Sequence, residues 1–146
     1  MHAFPAPQDL ASADPTELRR LGFSSAKART IIDTARAVVG GTLDLEALAL
    51  LDDRVATERL VSLRGIGRWT AEYVMLRGLG RLHIFPGDDV GARNKLERFL
   101  ETGSHLDYDG VRDLLTRWQP YAGIVYFHLL LDSLSEAGVV ATELTM

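Results

Sequence analysis

Cysteine is absent from this sequence. That excludes disulfides, a thiolate zinc site and any cysteine-ligated iron–sulfur cluster within the chain. No long apolar run is present either, because the longest stretch, around Ile124 to Leu131, is far too short to span a bilayer. The opening residues, Met1-His2-Ala3-Phe4-Pro5-Ala6-Pro7, lack both a basic n-region and an apolar h-region, so they do not read as a secretory signal. These absences predict an intracellular, cytoplasmic protein. A basic excess is missing too: 16 Lys and Arg stand against 20 Asp and Glu, for a net charge of -4. Bulk charge therefore cannot be what holds nucleic acid, and any such contact must be local, built from backbone amides and a few arginines. The histidines, His2, His83, His105 and His128, show no metal-ligand spacing. His128, on the most apolar segment, is expected to be a hydrogen-bonded core histidine.

What remains is ordinary folded composition, 47% hydrophobic and 25% charged, over 146 residues. That is enough for one domain with a real core. The periodicity is helical from end to end. Asp14-Pro15-Thr16-Glu17 reads as a cap, a first-turn proline and a capping-box glutamate. Ala28, Ile31, Ile32, Ala35, Val38 and Val39 keep helical spacing, with Ser24 as a cap and Gly40-Gly41 as a stop. Short helices are predicted near Leu45 to Leu50 and from about Asp53 to Ser62. Longer ones begin near Arg68, after Asp88-Asp89, after Asp107 and at Pro120. Val111, Leu114, Leu115 and Trp118 keep one stripe, which makes Trp118 a core residue. The last helix is apolar almost all round from Tyr121 to Leu131, which predicts burial in the middle of a bundle. Only Leu82 to Phe85 reads as briefly extended. The fold class is all-α, a helical bundle.

Two places carry chemistry. The first is Leu63-Arg64-Gly65-Ile66-Gly67-Arg68-Trp69-Thr70-Ala71, a Gly-x-Gly turn set between two predicted helices over about residues 53 to 80. Glycine there permits a tight turn and a close backbone approach. Free amides and the positive end of the helix dipole then form the ingredients of a phosphate site, with Arg64 and Arg68 flanking it and Ile66 tucked in at the apex. By spacing alone, the same Gly-x-Gly describes a plain link between packed helices equally well. The second place is Asp88-Asp89, between Pro86-Gly87 and a helix, where a helix cap and a functional carboxylate are both consistent with the pattern. Trp69 and Tyr73 lie one turn apart on a shared helix face.

The stretch LRGIGRWTA resembles the helix-hairpin-helix consensus of the HhH-GPD superfamily of DNA glycosylases, with Arg64 standing where the consensus has proline. Phe85 to Leu96, FPGDDVGARNKL, resembles the Gly/Pro-rich stretch and catalytic aspartate that follow the hairpin in that superfamily. Arg117-Trp118-Gln119-Pro120 and the opening FPAPQDLASAD are similar to segments of its alkylation-repair branch, DNA-3-methyladenine glycosylase II. This resemblance implies a helix-hairpin-helix bundle acting on double-stranded DNA. It places the catalytic role on Asp89 and a secondary or capping part on Asp88. Trp69, Tyr73 and Tyr121 would line a base pocket, and Arg64, Gly65, Ile66, Gly67, Arg68 and Thr70 would contact the DNA backbone. The carbonyls of Val61, Leu63 and Ile66 would be the candidates for holding sodium or potassium at the hairpin; no other cofactor is implied.

In the strand-cutting members of the superfamily a lysine stands two residues after the second hairpin glycine; here that residue is Trp69, which implies a monofunctional enzyme. The resemblance also implies a helical segment ahead of Phe4, so the chain is expected to be an N-terminally truncated version of the bundle, with homodimerisation as one way to cover the exposed face. The implied activity is hydrolytic excision of alkylated bases of the 3-methyladenine type. The alternatives are a non-catalytic module that grips the DNA backbone, and an inactive remnant or helical interaction domain, which the acidic net charge favours.

Overall fold

Side-chain caps open most of the helices, and they fall where the polar residues of the sequence put them. The computed structural model describes residues 4–136 and 138. Helix α1 (Pro7–Ala11) is followed by α2 (Pro15–Arg20), whose cap Asp14 accepts the Thr16 amide. Then come α3 (Ser25–Val39), capped by Ser24; α4 (Leu45–Leu50), capped by Asp44; and α5 (Asp53–Val61), capped by Asp52. After the Gly65-Ile66-Gly67 turn lie α6 (Arg68–Arg77) and α7 (Val90–Phe99), the latter capped by Asp89. The last helices among the described residues are α8 (Tyr108–Leu115), capped by Asp107, and α9 (Ala122–Glu136). Each of these caps satisfies an amide that the first turn leaves unpaired.

The chain divides into two compact units, with the boundary between Gly67 and Arg68. In the first, α1 and α2 pack against α3, and Leu18, Ala28 and Ile32 form a small buried cluster. The Arg36 Nε also donates to the Ala11 carbonyl at 3.1 Å, tying α3 to the end of α1. In the second unit Leu76, Phe85, Ala92, Leu96, Val111, Leu115, Ala122, Tyr126 and Leu129 form one buried core drawn from all four helices and the loop after α6. Gly123 belongs to this packing. Its amide donates to the Leu82 carbonyl at 2.7 Å, and an added Cβ would lie 2.6 Å from the Ile84 carbonyl oxygen.

The all-α expectation holds: among the described residues there is no strand. The extended reading of Leu82 to Phe85 is corrected to a turn at Leu82–His83, closed by Ile84 N–H on the Arg81 carbonyl at 3.0 Å. With no second strand to pair with, its backbone is used by a turn and by the start of α9. Trp118 is half-buried and packs against the core, but α8 ends at Leu115 and a single 3-10 turn, Thr116–Trp118, follows. The α9 helix is less enclosed than its composition suggested. Ala122, Tyr126 and Leu129 face inward, while Leu131 is 52% exposed and His128 is exposed rather than a core histidine. Helix α1 was not apparent from periodicity, because it is a single turn held by the Ala6 amide on Asp9 at 2.9 Å. No helix among the described residues is long and apolar enough to cross a membrane.

Candidate active site

The loop that ends at Gly87 delivers two adjacent aspartates to the start of α7, and they point into different surroundings. Asp89 is the N-cap, with Oδ1 accepting the Ala92 amide at 3.0 Å. Its Oδ2 accepts two side-chain donors, the Trp69 indole N–H at 3.1 Å and the Tyr126 hydroxyl at 2.7 Å. Burial by itself would raise the Asp89 pKa. The Ala92 amide, the Tyr126 hydroxyl and the Trp69 indole together outweigh that and hold the carboxyl below its ordinary range. The site thus keeps a partly buried carboxylate ionised.

Asp88 is not a cap. It takes the Arg68 guanidinium as a fork, Nε to Oδ2 at 2.7 Å and Nη2 to Oδ1 at 2.9 Å. The same guanidinium lies over the Tyr108 ring at 3.6 Å. Tyr108 in turn donates its hydroxyl to Glu72 Oε1 at 2.5 Å. Burial is the main reason its own pKa is pushed up to about 12. Gly87 completes this corner, since a Cβ there would meet the Tyr108 ring at 2.8 Å. Arg68 therefore commits Nε and Nη2 to Asp88, while Nη1 lies outside that fork.

Aromatic rings line the Asp89 side. Trp69 and Tyr73 are stacked, with centroids 5.4 Å apart and planes 25° from parallel. Tyr73 meets Tyr126 edge-on at 6.1 Å, and Tyr126 meets Phe85 edge-on at 5.3 Å. Arg77 donates to the Tyr73 hydroxyl at 2.6 Å. The structure so brings Trp69, Tyr73 and Asp89 together. Tyr121 stands 61% exposed just before α9, and its ring is not part of this stack.

At the hairpin, Gly65 has a left-handed φ of +86°, and a Cβ there would collide with the Thr30 side chain. Gly67 has ordinary φ and open space where a Cβ would go. Ile66 is half-buried at the apex, Arg64 is exposed and Thr70 is half-buried in α6. Sequence reasoning passed over Tyr126, Tyr108 and Glu72. None is a motif residue, although Glu72 directly follows the Leu63–Ala71 stretch, and only their hydrogen bonds and burial reveal them.

The profile of HhH-GPD superfamily base excision DNA repair proteins matches residues 1–120. The chain belongs to this superfamily. Among curated HhH-GPD relatives, a putative DNA-3-methyladenine glycosylase of Bacillus subtilis is 35% identical over 86% of the chain and 44% of its own length. DNA-3-methyladenine glycosylase 2 of Escherichia coli is 32% identical over 86% of the chain and 42% of its own length. The chain thus spans less than half of these relatives. A solved HhH-GPD structure, the 3-methyladenine DNA glycosylase of fission yeast in complex with abasic DNA, superposes with a TM-score of 0.79 at 27% identity. That match covers 89% of this chain and 64% of the yeast one.

Proposed function

We propose that this chain carries the catalytic carboxylate and base-facing wall of a monofunctional DNA glycosylase that excises alkylated bases of the 3-methyladenine type from duplex DNA. The observation that carries the reading is Asp89, an ionised carboxylate held by the Ala92 amide, Trp69 and Tyr126 beside the Trp69–Tyr73 stack. Cleavage of the N-glycosidic bond sends the electron pair to the departing base and leaves positive charge on the sugar. A fixed carboxylate stabilises that charge until water adds at the same carbon and gives up its proton to surrounding water. A carboxylate offers about four lone-pair sites, and three donors already sit on Asp89. Charge stabilisation is thus the role this geometry favours over proton abstraction.

Purines alkylated at N3 or N7 are cationic in DNA, so they suit aromatic faces and leave readily. An extruded base costs least when it is damaged and poorly stacked. The names of the relatives support the same substrate class. For the DNA backbone, the candidates are the amides around Gly65 to Gly67 together with Arg64 and Thr70. The carbonyls of Val61, at the end of α5, and of Leu63 and Ile66, in the turn after it, are hard oxygen donors, which suits sodium or potassium; the Leu63 carbonyl already accepts the Ile66 amide at 3.1 Å. Such an ion would supply positive charge toward a phosphate.

The test is release of 3-methyladenine and 7-methylguanine from methylated duplex DNA. The chain should release base, and Asp89→Asn should lower the rate by about a hundredfold or more, the scale of losing one preorganised electrostatic partner. Salt-dependent DNA binding without release would instead indicate a backbone-binding module.

A further inference from the structure

Tyr126 is a buried residue of α9, 2% exposed, with edge-on contacts to Tyr73, Phe85 and Phe127. A phenylalanine would make the same ring contacts. What packing does not explain is the hydroxyl, which lies 2.7 Å from Asp89 Oδ2. A buried hydroxyl needs a partner, and here the partner is the carboxylate to which the excision chemistry is assigned. We propose that Tyr126 is a positioning residue for Asp89: sharing Oδ2 with the Trp69 indole, its hydroxyl fixes the carboxylate opposite the N-cap amide. This deepens the excision reading and rests on it for its consequence in catalysis.

The geometry makes the arrangement specific. Oδ1 is tied along the helix axis by Ala92, which leaves the carboxylate free to swing about that anchor. Trp69 from α6 and Tyr126 from α9 reach the other oxygen from two different helices, so a swing of Oδ2 away from its place strains bonds to both. The charged and titratable groups around Asp89 are few. Asp88, its neighbour, is paired with Arg68. From α6 come Tyr73 and Arg77, bonded to each other, and from α9 comes Tyr126 itself. Loss of the Tyr126 hydroxyl removes a donor that favours the ionised form, so the Asp89 pKa rises and the acid limb of activity moves to higher pH.

The experiment compares the chain with Tyr126→Phe, which keeps the ring and its packing. The Asp89 side-chain carboxyl is followed by carbon-13 NMR across pH 2 to 7, with Asp89→Asn used to assign the resonance, and base release is measured over the same range. Loss of one hydrogen bond to a charged group should raise the Asp89 midpoint by about one pH unit and lower base release at neutral pH by about tenfold. By linkage the same loss lowers the thermal midpoint by a few degrees at neutral pH and by less at low pH, where Asp89 is protonated. An unmoved Asp89 midpoint in folded Tyr126→Phe overturns the assignment, as does unchanged base release with an active parent. If the parent releases no base while the Asp89 midpoint still moves, the excision reading fails and the positioning of Asp89 by Tyr126 stands.

Discussion

The indole N–H of Trp69 lies 3.1 Å from Oδ2 of Asp89, so the first turn of α6 reaches the carboxylate that caps α7. Two residues beyond Gly67, this position faces Asp89 with a donor that cannot act as a nucleophile. A lysine amine there would form an imine with the sugar and lead to strand cleavage. The chain is therefore expected to leave abasic sites uncut. Borohydride added during turnover should trap no covalent protein–DNA adduct, and strand breaks should appear only after alkali. A trapped adduct would show that another amine performs the lyase step.

Arg64 and Arg68 flank the same glycines and are expected to respond differently to mutation. Arg68 is engaged twice, as a fork on Asp88 and over Tyr108, whereas Arg64 is exposed. Lysine keeps the charge but neither the fork nor the flat face. Because Arg68 remains about half exposed, Arg68→Lys should cost only about 1 kcal/mol, a thermal midpoint lower by a few degrees. Arg64→Ala should leave the midpoint in place, weaken DNA binding and reduce the slope of log affinity against log salt by about one. Calorimetry and salt-dependent binding titrations check both. Equal effects of the two substitutions on stability would contradict the division.

Much of the fold was legible because its signals are local. Caps at Asp14, Ser24 and Asp107 and the glycine stop at Gly40 set helix ends through neighbouring residues. The site was legible only through its motif. Asp44, Asp52, Asp89 and Asp107 are all N-cap aspartates with an amide three residues on. Nothing local distinguishes Asp89 among them. The difference is the donors on its second oxygen, and these come from positions 20 residues before and 37 residues after it. Tyr126 was hidden for that reason, as a polar tip on an apolar stripe. The capping part was expected of Asp88, but Asp89 takes it, and only Arg68, also 20 residues from Asp88, shows where Asp88 goes.

Glu72 supplies a pH test. It is 6% exposed in α6, its Oε1 accepts the Tyr108 hydroxyl, and its Oε2 has no hydrogen-bond partner among the described residues. Burial is the main cause of its raised pKa, partly offset by the Tyr108 hydrogen bond and by Arg68. A carboxyl whose pKa is higher folded than unfolded contributes stability below the unfolded value and loses it as pH rises through the folded value. Glu72→Gln keeps an acceptor for Tyr108 without the buried charge. Its thermal midpoint relative to the parent should therefore be more favourable at pH 8 than at pH 4. A difference that is constant with pH would mean that Glu72 titrates normally.

Gly65 and Gly67 separate what the fold requires from what a ligand requires. At Gly65 the left-handed φ and the Thr30 side chain both exclude a Cβ, so the requirement comes from the protein itself. Gly65→Ala should cost about 1–3 kcal/mol through backbone strain and crowding. At Gly67 neither constraint exists: φ is ordinary and nothing lies within 4 Å of an added Cβ. The chain should accept Gly67→Ala with its thermal midpoint unchanged. If the turn amides hold a DNA phosphate, that same methyl group stands where the phosphate backbone must approach. Gly67→Ala should then weaken binding to duplex DNA by about tenfold, equivalent to about 1.4 kcal/mol, while folding normally. Binding by fluorescence anisotropy, beside thermal unfolding of both variants, checks the pair. Undiminished DNA affinity in folded Gly67→Ala would remove the hairpin amides from the interface and leave Gly65 as a requirement of the turn alone.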